Sequence, residues 1–141
     1  MGCAPLCDCA SPDTRIATPN GERAIASLEP GEEVYSVDDG AIRVVPILRV
    51  RRTPVFRHRV QQVRLATGVV LEISAGHPTA DGRSFADLVA GTELDGSAVV
   101  GSELVPYGYP FTYDILPASD TGTYFAEGVL IGSTLFEAPR E

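Results

Sequence analysis

Lysine is absent from this sequence, so all eleven basic residues are arginine, set against nineteen acidic ones for a net charge of −8. That balance argues against a nucleic-acid or anionic-membrane surface. The one basic stretch, 49–64, alternates arginine with apolar residues and reads as the solvated face of strands. No apolar run approaches the ~20 residues of a membrane-spanning helix. The first residues contain no apolar segment of the kind a signal peptide needs. Cys3 after Gly2 would suit lipid modification only in a trimmed precursor. A soluble protein is expected, in the cytoplasm or exported within a longer precursor, and a monomer. Tryptophan is missing too, and there are two histidines and three cysteines. The cysteines crowd at Cys3, Cys7 and Cys9, and an odd cluster of this kind is not a disulfide framework. A Cys3–Cys7 bridge in an oxidising compartment would leave Cys9 unbridged. The spacing matches no standard zinc finger. A small metal-binding β domain using these cysteines with His77 is kept as an alternative, but no metal and no cofactor is expected. The glycines fall singly at turns, so no nucleotide, phosphate or flavin loop is present.

What remains is a single domain's worth of chain, 141 residues and 44% hydrophobic, enough to bury a core. Its 14 glycines and 11 prolines punctuate short β-rich runs. Strands are expected over Arg15–Ala17, Glu33–Val37, Ala41–Arg52, His58–Leu65, Val69–Ile73, Gly96–Pro106, Phe111–Pro117, Thr123–Ala126 and Val129–Ile131. Asp39-Gly40 and Thr67-Gly68 suit hairpin turns. Helical turns are expected only at Ile25–Leu28 and Phe85–Val89, and no segment has a long helical period. The fold class is therefore all-β.

The chain also repeats itself. Thr18-Pro-Asn-Gly21 leads to Ile25, Leu28, Gly31 and Val34. Thr79-Ala-Asp-Gly82 leads to Phe85, Leu88, Gly91 and Leu94. One single-residue deletion aligns the two at an offset of about sixty residues. Each copy reads as a tight turn, a helical turn inserting two apolar side chains, a glycine turn and a strand. Two such units packed around a pseudo-twofold axis would share one core. They would also bring together the segments that precede them, Cys9 before the first and His77 before the second.

Three ordered blocks resemble the Hint superfamily, the fold of inteins and hedgehog autoprocessing domains. The first runs from Cys9 through Asp13-Thr14, Thr18-Pro-Asn-Gly21, Ile25, Leu28, Gly31 and 34–38, and resembles the intein block that begins with the nucleophile. The second runs from Gly68 to Ser74-Ala-Gly-His77-Pro78, with Ser74 in place of the family's threonine in Thr-x-x-His. The third is Tyr113-Asp114-Ile115 with 123–131. The resemblance implies a horseshoe-like β domain of two pseudo-twofold halves over residues 9–134, an extein-like stub at 1–8 and a tail at 135–141. No inserted endonuclease domain fits between the blocks.

The resemblance also implies a chemistry. The Cys9 thiol attacks the Asp8 carbonyl and converts the amide to a thioester, an N–S acyl shift. A thiol of pKa near ~8.5 needs activation for this. His77 is the expected general acid, Asp114 the group that accepts the thiol proton or holds the cysteine, and the hydroxyls of Ser74 and Thr14 are candidate oxyanion donors. Splicing inteins end in His-Asn followed by Ser, Thr or Cys, whereas this sequence has Gly132-Ser133 followed by Thr134. Serine has no amide nitrogen to cyclise, so cleavage or acyl transfer without splicing is expected. The substrate would be the flanking polypeptide, and the acyl acceptor water, an external thiol, an amine or an alcohol. Against this stands a catalytically degenerate module serving as a structural or interaction domain, since fold does not carry activity with it. In that reading Cys9 is a buried structural thiol, His77 bonds a backbone carbonyl and Asp114 is an ordinary hydrogen-bonding residue.

Overall fold

The computed structural model describes residues 10–137. Cys3, Cys7, Asp8 and Cys9 lie outside the described residues. Eleven strands form in chain order: β1 Arg15–Thr18, β2 Gly21–Ala24, β3 Glu33–Asp38, β4 Ala41–Pro54, β5 Arg59–Leu65, β6 Val70–Ile73, β7 Glu93–Leu94, β8 Ser97–Pro106, β9 Phe111–Pro117, β10 Tyr124–Ala126 and β11 Val129–Ile131. Single 3-10 turns occupy Ile25–Ser27 and Phe85–Asp87. All nine expected strands form, with ends differing by at most two residues. β2 and β7 were not anticipated. β2 is a short, mostly exposed polar segment, and β7 has only two residues. Neither carries enough alternation to stand out from turn sequence. No helix among the described residues is long and apolar enough to cross a membrane.

The strands make three antiparallel groups, ordered β11-β10-β1-β2, β3-β4-β9 and β6-β5-β8-β7. Ala10 ties two of them together. It bridges Ile73 at the end of β6 and Tyr113 on β9. With Tyr113 it exchanges two backbone hydrogen bonds, Ala10 N–H to Tyr113 O at 2.7 Å and Tyr113 N–H to Ala10 O at 2.8 Å. The curled β assembly closes around one core that includes Ile16, Val34, Leu71, Ile73, Phe85, Leu88 and Ile115.

The repeat is present in the hydrogen bonding. Leu28 N–H donates to Ile25 O, and Leu88 N–H to Phe85 O, both at 3.2 Å. Gly31 N–H reaches Ile47 O at 2.8 Å, and Gly91 N–H reaches Val99 O at 3.1 Å. Gly31 and Gly91 hold φ of 90° and 98°, where a side chain would be strained. Ile25 N–H donates to Thr14 O and Phe85 N–H to His77 O, at 2.8 and 3.0 Å. The first residue of each helical turn is thus held by the carbonyl of a residue upstream of it, Thr14 in one half and His77 in the other. Ala10 and Ile73 are separated in sequence by the same interval as Thr14 and His77, and they bridge one another.

Candidate functional site

His77 sits in the turn after β6 and is fully buried. Its amide donates to Ser74 O at 3.0 Å, which closes the turn. The ring packs edge-on against Phe85, with centroids 5.9 Å apart. Its Nε2 lies 2.8 Å from the Gly132 carbonyl oxygen. A carbonyl only accepts, so Nε2 carries the hydrogen of this bond. Gly132 thereby sets the tautomer of His77. Its lack of a side chain matters: a Cβ there would stand 3.0 Å from Thr79 O and 3.1–3.2 Å from the Pro78 ring. Gly132 N–H also donates to Pro78 O at 3.1 Å. The segment after β11 is thus held against the His77 turn from both sides.

Asp114 lies on β9 and is 1% exposed. Oδ1 accepts from Tyr124 OH at 2.6 Å and from the Ile115 amide at 2.8 Å. Oδ2 accepts from the Thr134 amide at 2.7 Å and also from the Thr134 hydroxyl. Four donors fill the roughly four lone-pair sites of a carboxylate. Arg51 extends this cluster, with a terminal nitrogen 3.4 Å from Thr134 Oγ1. Ser133 is buried as well. Its hydroxyl donates to Ile115 O at 2.6 Å and accepts from the Leu135 amide at 3.1 Å.

The expected site residues therefore fall into connected pairs. The structure joins His77 to Gly132, Asp114 to Thr134, and Ser133 to the residue following Asp114. Ser74 is 1% exposed and shares the His77 turn, but its hydroxyl pairs with His58 Nε2 at 2.9 Å. Thr14 is buried, and its hydroxyl lies 3.1 Å from Ser11 Oγ, a bond within its own turn rather than toward His77 or Asp114. Cys9 lies outside the described residues. Sequence reasoning did not single out Tyr124 or Arg51 as site residues. It placed His58 only at the start of an expected strand. The signal that could have raised His58 was that histidine occurs only twice. Among the described residues no group of three His, Cys, Asp or Glu could hold a metal ion.

The Hint domain family model matches residues 8–78. The CDK5RAP3 protein homolog of Drosophila melanogaster is 31% identical over 107 residues, covering 70% of this chain and 21% of that protein. The chain thus spans about a fifth of the length of the curated relative it matches. Among solved structures, a DnaB intein from Synechocystis sp. PCC 6803 superposes with a TM-score of 0.75 at 15% identity, covering 91% of this chain and 99% of the other. A bacterial intein-like domain from Clostridium thermocellum gives 0.74 at 18%, covering 89% and 97%. The gp41-1 intein gives 0.72 at 18%, covering 89% and 98%. At such identities the superpositions establish the fold, an all-β, horseshoe-like Hint architecture.

Proposed function

Because the chain belongs to the Hint domain family, we propose that it is a self-processing module in which the Cys9 thiol cuts the peptide bond to Asp8 without splicing. One observation carries this reading. Ala10, joined directly to Cys9, is fully buried and paired to both Ile73 and Tyr113. One residue further along those two neighbours stand Ser74 and Asp114, the family's hydroxyl and carboxylate positions. The covalent link from Cys9 to Ala10 limits the thiol's reach to this neighbourhood.

The chemistry assigns each group a task. The sulfur bonds to the Asp8 carbonyl carbon, the carbon–nitrogen bond breaks, and the proton lost by the thiol ends on the departing nitrogen. His77 is the imidazole given that transfer, held in place by its Nε2 bond to Gly132. Asp114 already has four donors on its oxygens, which leaves little room for the thiol proton. In this reading it holds the downstream segment in place. Ser74 supplies a hydroxyl toward the developing oxyanion. Water, a small thiol, an amine or an alcohol then accepts the acyl group.

A second reading, a catalytically silent module, has one observation in its favour. Gly132, Ser133 and Thr134 are all tied into the fold, and His77 makes the carbonyl bond that a structural histidine makes. A reporter fused upstream of Asp8 separates the two. Release on adding a reducing thiol, abolished in Cys9→Ala and slowed in His77→Ala, supports processing. No release, or equal release from Cys9→Ala, leaves the silent module.

A further inference from the structure

Seven of the eleven arginines fall in residues 41–65, and no aspartate or glutamate does. The rest of the chain therefore sets four arginines against nineteen acidic residues. The fold concentrates this imbalance. Val55 N–H donates to Pro110 O and Tyr107 N–H to His58 O, both at 2.9 Å, so the bend from β4 to β5 lies against residues 107–110. Residues 104–113 carry no acidic side chain either. Across the ladders Arg49 stands opposite Leu116, Arg52 opposite Tyr113 and Arg59 opposite Pro106. An opposite charge at such a position would stabilise the pair, and none of the three has one.

Two of these arginines rest on aromatic rings. The Arg52 guanidinium carbon lies 4.2 Å from the centre of the Phe111 ring, and that of Arg57 lies 5.1 Å from the centre of Phe56. A stacked guanidinium keeps its N–H fork at the edge of its plane, where it can meet a carboxylate with two hydrogen bonds. Arg49, Arg52, Arg57 and Arg59 are all exposed. Among the described residues no salt bridge involves any of them. Phe56 beside them is 64% exposed. The outlying arginines differ, since Arg43 Nε donates to Asp38 O at 3.0 Å and Arg64 lies 3.9 Å from Glu103.

We infer that Arg52, Arg57 and Arg59, with Phe56, form a docking surface for an acidic polypeptide segment whose carboxylates alternate with apolar residues. Charge complementarity selects this occupant. The guanidinium forks match carboxylates, and the exposed phenylalanine takes an apolar neighbour. A nucleic acid would meet the same arginines, but its uniformly charged backbone would also approach the acidic remainder of the domain, which repels it. A second copy would have to offer acidic residues from outside 41–65, a head-to-tail contact that does not close on itself. The surface owes nothing to cleavage at the upstream bond, so it stands whether or not the domain processes itself.

Fluorescence anisotropy of a labelled peptide alternating glutamate and leucine, titrated with the full chain, tests the inference. The peptide should bind at low ionic strength and weaken as salt rises. Arg52→Ala, Arg57→Ala and Arg59→Ala should each weaken binding by about 2–5-fold, the worth of an exposed ion pair. The triple variant should lose on the order of 10-fold or more. Arg23→Ala removes an arginine already paired with Glu32 and should leave binding unchanged. Replacing all three arginines by glutamate should switch the preference to a peptide alternating lysine and leucine. No binding, equal binding of the glutamate and lysine peptides, or binding indifferent to the triple variant with the fold intact by circular dichroism overturns the inference. Tighter binding of single-stranded oligothymidylate than of the glutamate peptide at the same salt also overturns it, and assigns the surface to nucleic acid. Self-association in sedimentation that the charge-reversed variant abolishes overturns it in favour of a second copy.

Discussion

Asp114 Oδ2 accepts the amide hydrogen of Thr134 at 2.7 Å, so a buried carboxylate on β9 grips the residue just past the candidate junction. The same oxygen takes the Thr134 hydroxyl, while Oδ1 takes Tyr124 and the Ile115 amide. Removing the carboxylate in Asp114→Ala strands several buried donors, at about 1–3 kcal/mol for each one left unsatisfied. A loss on the order of 3 kcal/mol in urea unfolding is expected. Asp114→Asn keeps one acceptor oxygen and sets an amide nitrogen against another donor, so it should lose the Thr134 bonds selectively. Hydrogen exchange at the Thr134 amide then rises more than exchange in β9. A Thr134 amide that stays equally protected in Asp114→Asn contradicts this.

Residues beyond the junction are also packed into the body. Leu135 is 7% exposed, and the Phe136 ring rests on Gly122, where a Cβ would lie 2.4–2.9 Å from ring and β carbons. Gly122 has φ of 64°, so a side chain there is strained as well as crowded. Gly122→Ala should destabilise by about 1–3 kcal/mol. Combining it with Phe136→Ala should recover the steric part, so that the double variant is more stable than the sum of the single losses predicts. Strict additivity in thermal unfolding would show that the ring and the glycine do not meet.

Much of this fold is legible in the sequence, and the reasons are local. The repeat shows because each half needs a glycine at positive φ, as at Gly31 and Gly91, and apolar side chains at fixed offsets, as at Ile25, Leu28, Phe85 and Leu88. Strands such as β5 show through their alternation. β2 and β7 do not, being short and largely polar on their exposed positions. The blocks identify His77, Asp114 and Ser74, but not whom they bond. The Asp114–Thr134, His77–Gly132 and His58–Ser74 contacts join separate segments of the chain, and no periodicity encodes such pairings. Gly132 is the clearest case. In the sequence it is a departure from a histidine. In the fold it is the residue small enough to pass Thr79 O and present its carbonyl to His77.

Asp81 makes acid stability partly predictable. The Arg83 guanidinium, followed by the Thr79 hydroxyl, holds its carboxyl at about 2, below the ordinary 3.8. A depressed carboxyl contributes stability that is fully present above the unfolded value and is lost as pH falls through the folded one. The window is therefore from about pH 4 down to about pH 2. The Asp81 side chain is 61% exposed, so solvent screening keeps the contribution below about 1 kcal/mol. Urea unfolding between about pH 5 and pH 2 should show Asp81→Asn with a shallower acid loss than the parent, the two curves converging at low pH. Parallel curves over that range would mean that Asp81 contributes nothing to acid stability.

Ser133 governs the last expectation, which concerns the downstream side. Its hydroxyl is committed to Ile115 O and the Leu135 amide, and its carbonyl accepts the Phe136 amide at 3.2 Å. It has no side-chain amide nitrogen, so it cannot close the succinimide that would release the segment beginning at Thr134. A chain carrying one reporter upstream of Asp8 and another after Glu141 should, on adding a thiol, release only the first. The second should remain attached in intact-mass measurements, with no species joining the two reporters. Ser133→Asn by itself should not restore joining. The larger side chain has to displace the two bonds made by the Ser133 hydroxyl, and the position before it remains glycine. Any ligated reporter pair from the parent chain would mean that this junction breaks by a route that does not depend on an amide side chain.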